Sequence, residues 1–167
     1  SVTQKYIDTV AYYKTASMIE WCIEVPFRLK NESSQNLERA RRLGREMGLG
    51  FQIVDDCVDF NLESGKDFAK DLSEGLLNQV SWSLVQFRPE LKTYFKEIAA
   101  STHAVDQIEF LEHIELPELE SAIGQTRLKA KLHIQNAHQI LNELESEGCG
   151  NFIHIRTLLE WIIKRER

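Results

Sequence analysis

The sequence contains few of the residues that interrupt helices, and this scarcity bears directly on its fold. Eight glycines and three prolines occur in 167 residues. An all-β chain needs turn residues about every 8–12 positions, so the composition argues against that class and favours long helices. Hydrophobic residues make up 43% of the chain, which excludes wholesale disorder. We therefore predict one ordinary domain over residues 1–167.

Other absences restrict the kind of protein further. No uninterrupted apolar run reaches about 18 residues, so no integral membrane segment is predicted. The 20 Lys and Arg residues are outnumbered by 26 Asp and Glu residues, for a net charge of −6, and this balance argues against nucleic-acid binding. The three cysteines (Cys22, Cys57 and Cys149) form no CxxC pair, and their odd number argues against a disulfide framework. We interpret them as buried apolar thiols in a reducing, cytoplasmic setting.

Apolar residues recur at steps of three and four along most of the chain, which is the helical period. The prediction is an all-α helical bundle of about seven helices, at roughly residues 3–25, 35–62, 76 toward 89, 91–100, 105–115, 118–147 and 152–164. The first helix is expected to end near Pro26, and the fifth to stop before Pro117. Gly48 and Gly50 lie inside the second helix, where each costs about 1 kcal/mol relative to Ala. Glycines at such positions indicate that another backbone or a ligand comes close.

The segment FQIVDDCVD at residues 51–59 is the most informative part of the chain. Gln52 precedes Asp55, Asp56 and Asp59 by three, four and seven residues, so all four side chains project toward one side of a helix. Three carboxylates this close raise one another's pKa unless a cation neutralises them. Hard oxygen ligands suit Mg²⁺, which binds one or two carboxylates together with phosphate oxygens and water. The segment therefore predicts a magnesium site, with a solvated acidic face as the alternative.

Lysines precede and follow this acidic segment. Lys14 and Thr15 lie in the first predicted helix, and Lys66 and Lys70 lie in the loop after the second. A lysine is a compact point charge suited to a phosphate oxygen. Carboxylate-bound Mg²⁺ with nearby lysines would hold a diphosphate ester and make it a leaving group. The second predicted helix also carries four arginines, at Arg39, Arg41, Arg42 and Arg45. They are expected either to form helix–helix salt bridges or to contact a diphosphate or a partner.

The order of these motifs resembles the C-terminal half of the trans-isoprenyl diphosphate synthases, the polyprenyl synthetase family. The matching parts are Lys14-Thr15, the FQxxDDxxD motif at residues 51–59, and Gly65-Lys66 followed by Asp71. The resemblance implies a helical bundle of the isoprenoid synthase type and a Mg²⁺-dependent prenyltransferase of isoprenoid biosynthesis. In that family, ionisation of an allylic diphosphate leaves a carbocation that isopentenyl diphosphate attacks. Short-chain products such as geranyl, farnesyl or geranylgeranyl diphosphate are the expectation.

The resemblance also implies roles for individual residues. Asp55 would ligate Mg²⁺ most directly, and Asp56 and Asp59 would complete the set of metal-binding acids. The residues expected to take part in catalysis are Lys14, Thr15, Gln52 and Lys66. The residues expected to bind substrate are Lys14, Phe51, Gln52, Lys66 and Lys70.

The sequence departs from the family pattern in the loop after the acidic helix. Leu76 follows Glu74-Gly75 where the family usually has a lysine. Ala69 stands at the second glycine of the GKxxG pattern, and Asn78-Gln79-Val80 replaces the usual Thr-x-Pro. These changes argue against a complete phosphate-binding loop of the family type.

Nothing before Lys14 corresponds to the family's first aspartate-rich motif or to its Lys/Arg site for isopentenyl diphosphate. We therefore expect a fragment of a larger enzyme that is inactive alone, and that acts as a homodimer or with the N-terminal half of the same enzyme. One alternative is a non-catalytic helical subunit that supports a catalytic partner. The third possibility is a class I terpene cyclase, which shares the metal-triggered ionisation.

Overall fold

The computed structural model describes residues 3–62, 67–101 and 103–165, and every regular element in those ranges is helical. The predicted all-α class is therefore confirmed. In chain order the elements are α1 (Gln4–Ala11), a π-helical turn (Tyr12–Ala16), α2 (Ser17–Leu29), α3 (Ser34–Asp59), α4 (Lys70–Ser73), α5 (Gln79–Phe87), α6 (Leu91–Ala100), α7 (Gln107–His113), α8 (Leu116–Ser146) and α9 (Ile153–Lys164). Within these ranges no helix is both long and apolar enough to cross a membrane.

The expectation that the first helix ends near Pro26 was wrong, whereas the fifth predicted helix does stop before Pro117, since α7 ends at His113. Helix α2 continues through Pro26 to Leu29, because Pro26 is exposed and the next residue, Phe27, is buried in the core. Burial of that ring offsets the backbone hydrogen bond that proline removes. Helix α8 begins at Leu116, so Pro117 lies in its first turn, where a missing N–H costs nothing.

The loop after α3 contains more structure than the sequence suggested. Helix α3 ends at Asp59, and the one-turn helix α4 follows before α5. Helix α5 begins at Gln79 because Asn78 caps it: the Asn78 side chain accepts from Ser81 N, and the Ser81 hydroxyl accepts from Asn78 N. This capping box satisfies two donors that would otherwise be unpaired.

The chain forms two compact units. Unit I comprises the residues up to Ile7 together with Asp55–Leu128, and unit II comprises Asp8–Val54 together with the residues from Lys129 onward. Helices α3 and α8 contribute residues to both units.

The core of unit I is rich in aromatic rings. Phe60 and Phe110 are fully buried, and the centroid of the Phe68 ring lies 5.7 Å from that of Phe60 and 5.1 Å from that of Phe110. Edge-to-face contacts of this kind contribute beyond the apolar area they bury. Cys57 is buried in the same cluster, as predicted for a structural thiol.

The core of unit II is aliphatic. Its fully buried side chains include Leu43, Ile134, Leu141 and Leu159, with Cys149 buried among them. Cys22 is exposed, so the prediction of a buried thiol was wrong at that position.

Helices α2 and α3 are held together in unit II by close backbone contact and by ion pairs. A Cβ built on Gly44 would lie 2.5 Å from the Cα of Glu20. The Glu20 carboxylate accepts from the Arg45 guanidinium at 3.1 Å, and Glu24 accepts from Arg41 at 2.9 Å. Of the four arginines in the expected set, Arg39, Arg41 and Arg45 therefore form salt bridges, Arg39 with Glu143 of α8.

Glu24 is the buried carboxylate among these ion pairs, and its environment predicts a stability that depends on pH. The hydrogen bond from Arg41 lowers the pKa of Glu24, aided by Arg28 and opposed by burial. Because the folded-state pKa lies below the unfolded value, this stabilisation is complete above about pH 4.5 and is lost as the pH falls through the folded pKa. We expect Glu24→Gln to lower the free energy of unfolding by about 1.5 kcal/mol at pH 7.

Urea denaturation at pH 7 and pH 3 would test this, with Glu160→Gln as an exposed control. The difference between Glu24→Gln and the unsubstituted chain should shrink at pH 3. A difference that stays constant between the two pH values would show that the Glu24 charge is not the cause.

Candidate functional site

Two of the predicted metal-binding acids organise the backbone of unit I. Asp56 is buried, and its Oδ2 accepts from the N–H of Gln79 at 2.9 Å, at the first residue of α5. The Oδ1 of Asp59 accepts from Lys70 N at 3.0 Å, and its Oδ2 accepts from Asp71 N at 3.3 Å. The end of α3 is thereby tied to the N-termini of α4 and α5.

Asn78 joins this acidic group from the other side. Its amide nitrogen donates to the carboxylates of Asp59 at 3.3 Å and Asp71 at 3.2 Å. One buried side chain therefore bridges two acids that would otherwise repel each other. Asn78 was not among the predicted site residues, although the sequence Asn78-x-x-Ser81 carries the signature of a helix cap.

The environment of Asp59 shows how closely the acids are gathered. Burial, together with the negative charges of Asp71 and Asp56, raises the pKa of Asp59 to about 7. The backbone hydrogen bonds from Asp71 and Lys70 oppose this by favouring the ionised form. Strongly perturbed carboxyl groups are concentrated at functional sites, although structural clusters perturb them as well.

Asp55 differs from the other two acids in its exposure. Its side chain is half-buried, whereas that of Asp56 is only 3% exposed. Carboxylate oxygens of this kind match the hard-ligand preference of Mg²⁺. In the part of the chain that the structure describes, no group of three or more His, Cys, Asp or Glu side chains could hold a metal ion.

The lysine loop is described only in part. The predicted residue Lys66 lies outside the described residues. Lys70 is exposed; its backbone N–H binds Asp59, and its ammonium lies 3.8 Å from the Glu74 carboxylate. Ala69 adopts a left-handed backbone conformation with φ of 49° and is fully buried. A left-handed φ is easiest for glycine, which accounts physically for the glycine of the family pattern at this position.

Leu76, which replaces the expected lysine, lines an apolar cavity in unit I. The cavity has a volume of about 150 Å³. Leu77 and Phe95 line it as well, and Lys92 and Lys96 of α6 contribute to its wall. The replacement therefore places an aliphatic side chain beside other apolar residues.

Unit II brings together Thr15 and Gln52. The Thr15 hydroxyl donates to Oε1 of Gln52 at 2.5 Å, and Gln52 is buried. Thr15 lies in the π-helical turn, where the N–H of Ser17 donates to the carbonyl of Tyr12, five residues earlier. The turn also carries Lys14, whose side chain is exposed. Single π-helical turns inside α-helices occur frequently at functional sites.

Gly48 allows this turn to approach α3. A Cβ on Gly48 would lie 2.5 Å from the Cα of Ala16, so the expectation that another backbone comes close is confirmed here. At Gly50 the neighbour is instead the side chain of Ile134, at 2.7 Å from the hypothetical Cβ.

Phe51 also lies in unit II and is half-buried against its core. The guanidinium of Arg165 lies 5.0 Å from the centroid of the Phe51 ring and 5.7 Å from that of Trp161. These are cation–π distances. The ring of Phe51 thus combines core packing with a contact to a basic residue that follows α9.

Comparison with known proteins identifies the class to which this architecture belongs. Residues 1–114 match the family described as polyprenyl synthetase. A prenyl transferase of Cyanophora paradoxa is 30% identical over 97% of this chain and 49% of its own length. Solanesyl diphosphate synthase 2, chloroplastic, of Arabidopsis thaliana is 26% identical over 83% of this chain and 33% of its own. A decaprenyl diphosphate synthase from Rhodobacter capsulatus superposes on 99% of this chain with a TM-score of 0.76, at 22% identity and 51% coverage of its own chain.

The chain belongs to the polyprenyl synthetase family. It spans about a third of the Arabidopsis relative and about half of the Cyanophora relative.

Proposed function

We propose that this chain carries the second aspartate-rich motif of a prenyltransferase that condenses an allylic diphosphate with isopentenyl diphosphate. Membership of the polyprenyl synthetase family supports the reaction class. The observation that carries the proposal is the gathering of motif acids in unit I, where Asp59 and Asp71 share the Asn78 amide.

The proposed roles follow from where each side chain lies. Asp55 and Asp56 would hold Mg²⁺, with Asp55 the more accessible of the two. Both oxygens of Asp59 accept N–H donors, so we assign Asp59 to ordering the loop around the metal rather than to direct ligation. When bound, Mg²⁺ would neutralise charge that develops on the leaving diphosphate.

The remaining predicted residues would contact substrate. Lys14 and Lys66 would bind the diphosphate as point charges. Thr15 fixes the orientation of Gln52 through its hydroxyl, so that Gln52 presents its amide in one direction. Lys70 would bind substrate only after its ammonium leaves Glu74.

We propose a longer product than the short-chain diphosphates that the motifs suggested. The Arabidopsis relative is named as a solanesyl diphosphate synthase, and we extend that product class to this chain. The same relative is named as chloroplastic, so the cytoplasmic setting stays a prediction. Product analysis of the active enzyme with dimethylallyl, geranyl and farnesyl diphosphates as allylic substrates would establish the chain length.

The second candidate is a non-catalytic helical subunit that supports a catalytic partner. The chain matches only about half of the length of the Cyanophora relative, so part of that protein has no counterpart in these 167 residues. We propose that the prenyltransferase works with a partner, which is either the N-terminal half of the same enzyme or, in a homodimer, a second copy of that enzyme.

Calorimetric titration with inorganic diphosphate would test the proposed site. We expect the chain to bind diphosphate only when Mg²⁺ is present, and EDTA to abolish binding. Asp55→Ala should weaken binding at least tenfold, because it removes the most accessible metal-binding carboxylate. Glu160→Ala, which removes an exposed carboxylate on α9, should have no effect.

Each outcome of this titration discriminates between the two candidates. Metal-dependent binding that Asp55→Ala weakens supports the prenyltransferase site. Absence of binding, or equal affinity in the presence and absence of Mg²⁺, would favour the non-catalytic subunit.

A further inference from the structure

The apolar cavity of unit I lies between α6 and the short helix α4 with the loop that follows it. Its apolar wall comprises Leu72, Leu76, Leu77, Phe95 and Ala99. Its volume is about 150 Å³, and an apolar cavity of that size takes up a molecule of about six carbons such as benzene. The cavity can therefore hold an apolar group of about five or six carbons.

The mouth of this cavity is polar. Lys92, Lys96 and Tyr6 contribute to its wall, and both Lys96 and Tyr6 are exposed, so the cavity reaches the protein surface. Lys92 and Lys96 are four residues apart on α6, and their side chains therefore lie on one face of that helix. A ligand with its apolar part in the cavity would have its polar end beside two ammonium groups.

The positive charge at the mouth is not neutralised by nearby acids. Within the described ranges, neither the Lys92 ammonium nor the Lys96 ammonium forms an ion pair. Glu74, which precedes the wall residue Gly75, pairs instead with Lys70 at 3.8 Å. Like charges four residues apart destabilise a helix, and an anion bound between them would remove that cost. The mouth is therefore suited to an anion.

The apolar character of the wall depends on Leu76, which stands where the polyprenyl synthetase pattern usually has a lysine. Its side chain is half-buried beside the other apolar residues of the cavity. An ammonium group at this position would retain water, because removing a charge from water is costly. No residue of the wall is among those assigned above to Mg²⁺ or to the diphosphate substrates.

We propose that this cavity binds a small amphipathic anion, a phosphate monoester of an apolar group of about five or six carbons. The apolar group would pack against Leu76 and Phe95, and the phosphate would accept from Lys92 and Lys96. A phosphate monoester carries close to two negative charges at pH 7, which matches the two ammonium groups. Exposed charges contribute little affinity by themselves, so burial of the apolar group supplies most of it. The site goes beyond the proposed function and needs no metal.

Calorimetric titration with 3-methylbutyl phosphate in the presence of EDTA would test this proposal. EDTA removes any binding that depends on a metal ion, and the probe carries a five-carbon apolar group. We expect saturable binding of one molecule per chain, at least tenfold tighter than binding of inorganic phosphate, which buries no apolar surface. Hexanoate has a similar apolar group but a single negative charge, so it should bind more weakly than the probe.

Ala99→Leu tests whether the apolar group enters the cavity. The Ala99 Cβ would lie 3.8 Å from a Cβ built on Gly75, so a larger side chain here would fill the space between α6 and the loop. We expect it to weaken binding of the probe at least tenfold and to leave binding of inorganic phosphate unchanged. Ala100→Leu is the matched control, because Ala100 is exposed on α6 and does not line the cavity.

Replacing both Lys92 and Lys96 by Gln tests the charge at the mouth. This double substitution should weaken binding of the probe at least tenfold, because it removes both ammonium groups. Lys131→Gln, which removes an exposed lysine of α8, should leave binding unchanged. Circular dichroism would confirm that each variant keeps its helical content.

The proposal is overturned if the probe does not bind saturably, or if inorganic phosphate binds as tightly as the probe. It is also overturned if Ala99→Leu and Ala100→Leu behave alike, since the apolar group would then lie elsewhere. Hexanoate that binds as tightly as the probe would contradict the choice of phosphate. Because EDTA is present throughout, Mg²⁺-dependent binding of inorganic diphosphate can fail while this proposal stands, and the reverse.

Discussion

Gly48→Ala should lower the free energy of unfolding by about 3 kcal/mol, at the upper end of the usual cost of overpacking. The added methyl group would lie 2.5 Å from the Cα of Ala16 and 2.8 Å from its Cβ. Helix α3 and the π-helical turn must then separate, because the main clash is with backbone, which no rotamer change relieves. Since Thr15 lies in that turn, we also expect the hydrogen bond between Thr15 and Gln52 to be lost and Mg²⁺-dependent diphosphate binding to weaken.

Urea denaturation followed by circular dichroism would measure the change, with Gly124→Ala as the matched control. Gly124 lies within α8, where an added Cβ meets no atom within 4 Å. That substitution should raise the free energy of unfolding by about 1 kcal/mol, the difference in helix propensity between Gly and Ala. If Gly48→Ala proves as stable as Gly124→Ala, close approach of the turn to α3 is not a requirement of the fold.

Asn78→Asp should lower the free energy of unfolding by about 3 kcal/mol at pH 7. Aspartate caps helices about as well as asparagine does, so the bond to Ser81 N can be retained. The substitution removes the amide that donates to Asp59 and Asp71, and it places a third carboxylate between them. Loss of a buried donor and repulsion among like charges both act against folding.

The pH dependence of the Asn78→Asp variant separates repulsion from simple loss of packing. Because protonation neutralises carboxylates, the loss in free energy of unfolding should be smaller at pH 4 than at pH 7. Ser81→Ala is the control: it removes one hydrogen bond of the capping box and should cost about 1 kcal/mol at both pH values. If the substitution lowers the free energy of unfolding as much at pH 4 as at pH 7, the result would argue against the bridging role of Asn78.

The elements that the sequence predicted correctly share a local cause. Helical class follows from apolar residues at steps of three and four, a pattern that each helix carries within itself. The close approach of another backbone to Gly48 could also be predicted from the sequence, since a glycine that weakens a helix interior needs a compensating contact. The family could be recognised because FQxxDDxxD concentrates its chemistry in nine consecutive residues, together with Lys14-Thr15 upstream.

The elements that it predicted wrongly depend on residues distant in the chain. Whether α2 ends at Pro26 depends on the core that receives Phe27, and no pattern near Pro26 reveals that core. The exposure of Cys22 likewise depends on what packs against the helix. Asn78 was overlooked because its significance comes from Asp59, 19 residues earlier.

By itself the sequence determined the helical class, the family and the set of acids and lysines to consider, because composition, periodicity and short motifs are local properties. Only the tertiary structure decided which donors these acids meet. It engaged both oxygens of Asp59, bridged Asp59 to Asp71 through Asn78, and joined Thr15 to Gln52 across 37 residues. Hydrogen bonds between distant residues exist only after the chain has folded, since burial and helix packing bring their donors and acceptors within reach.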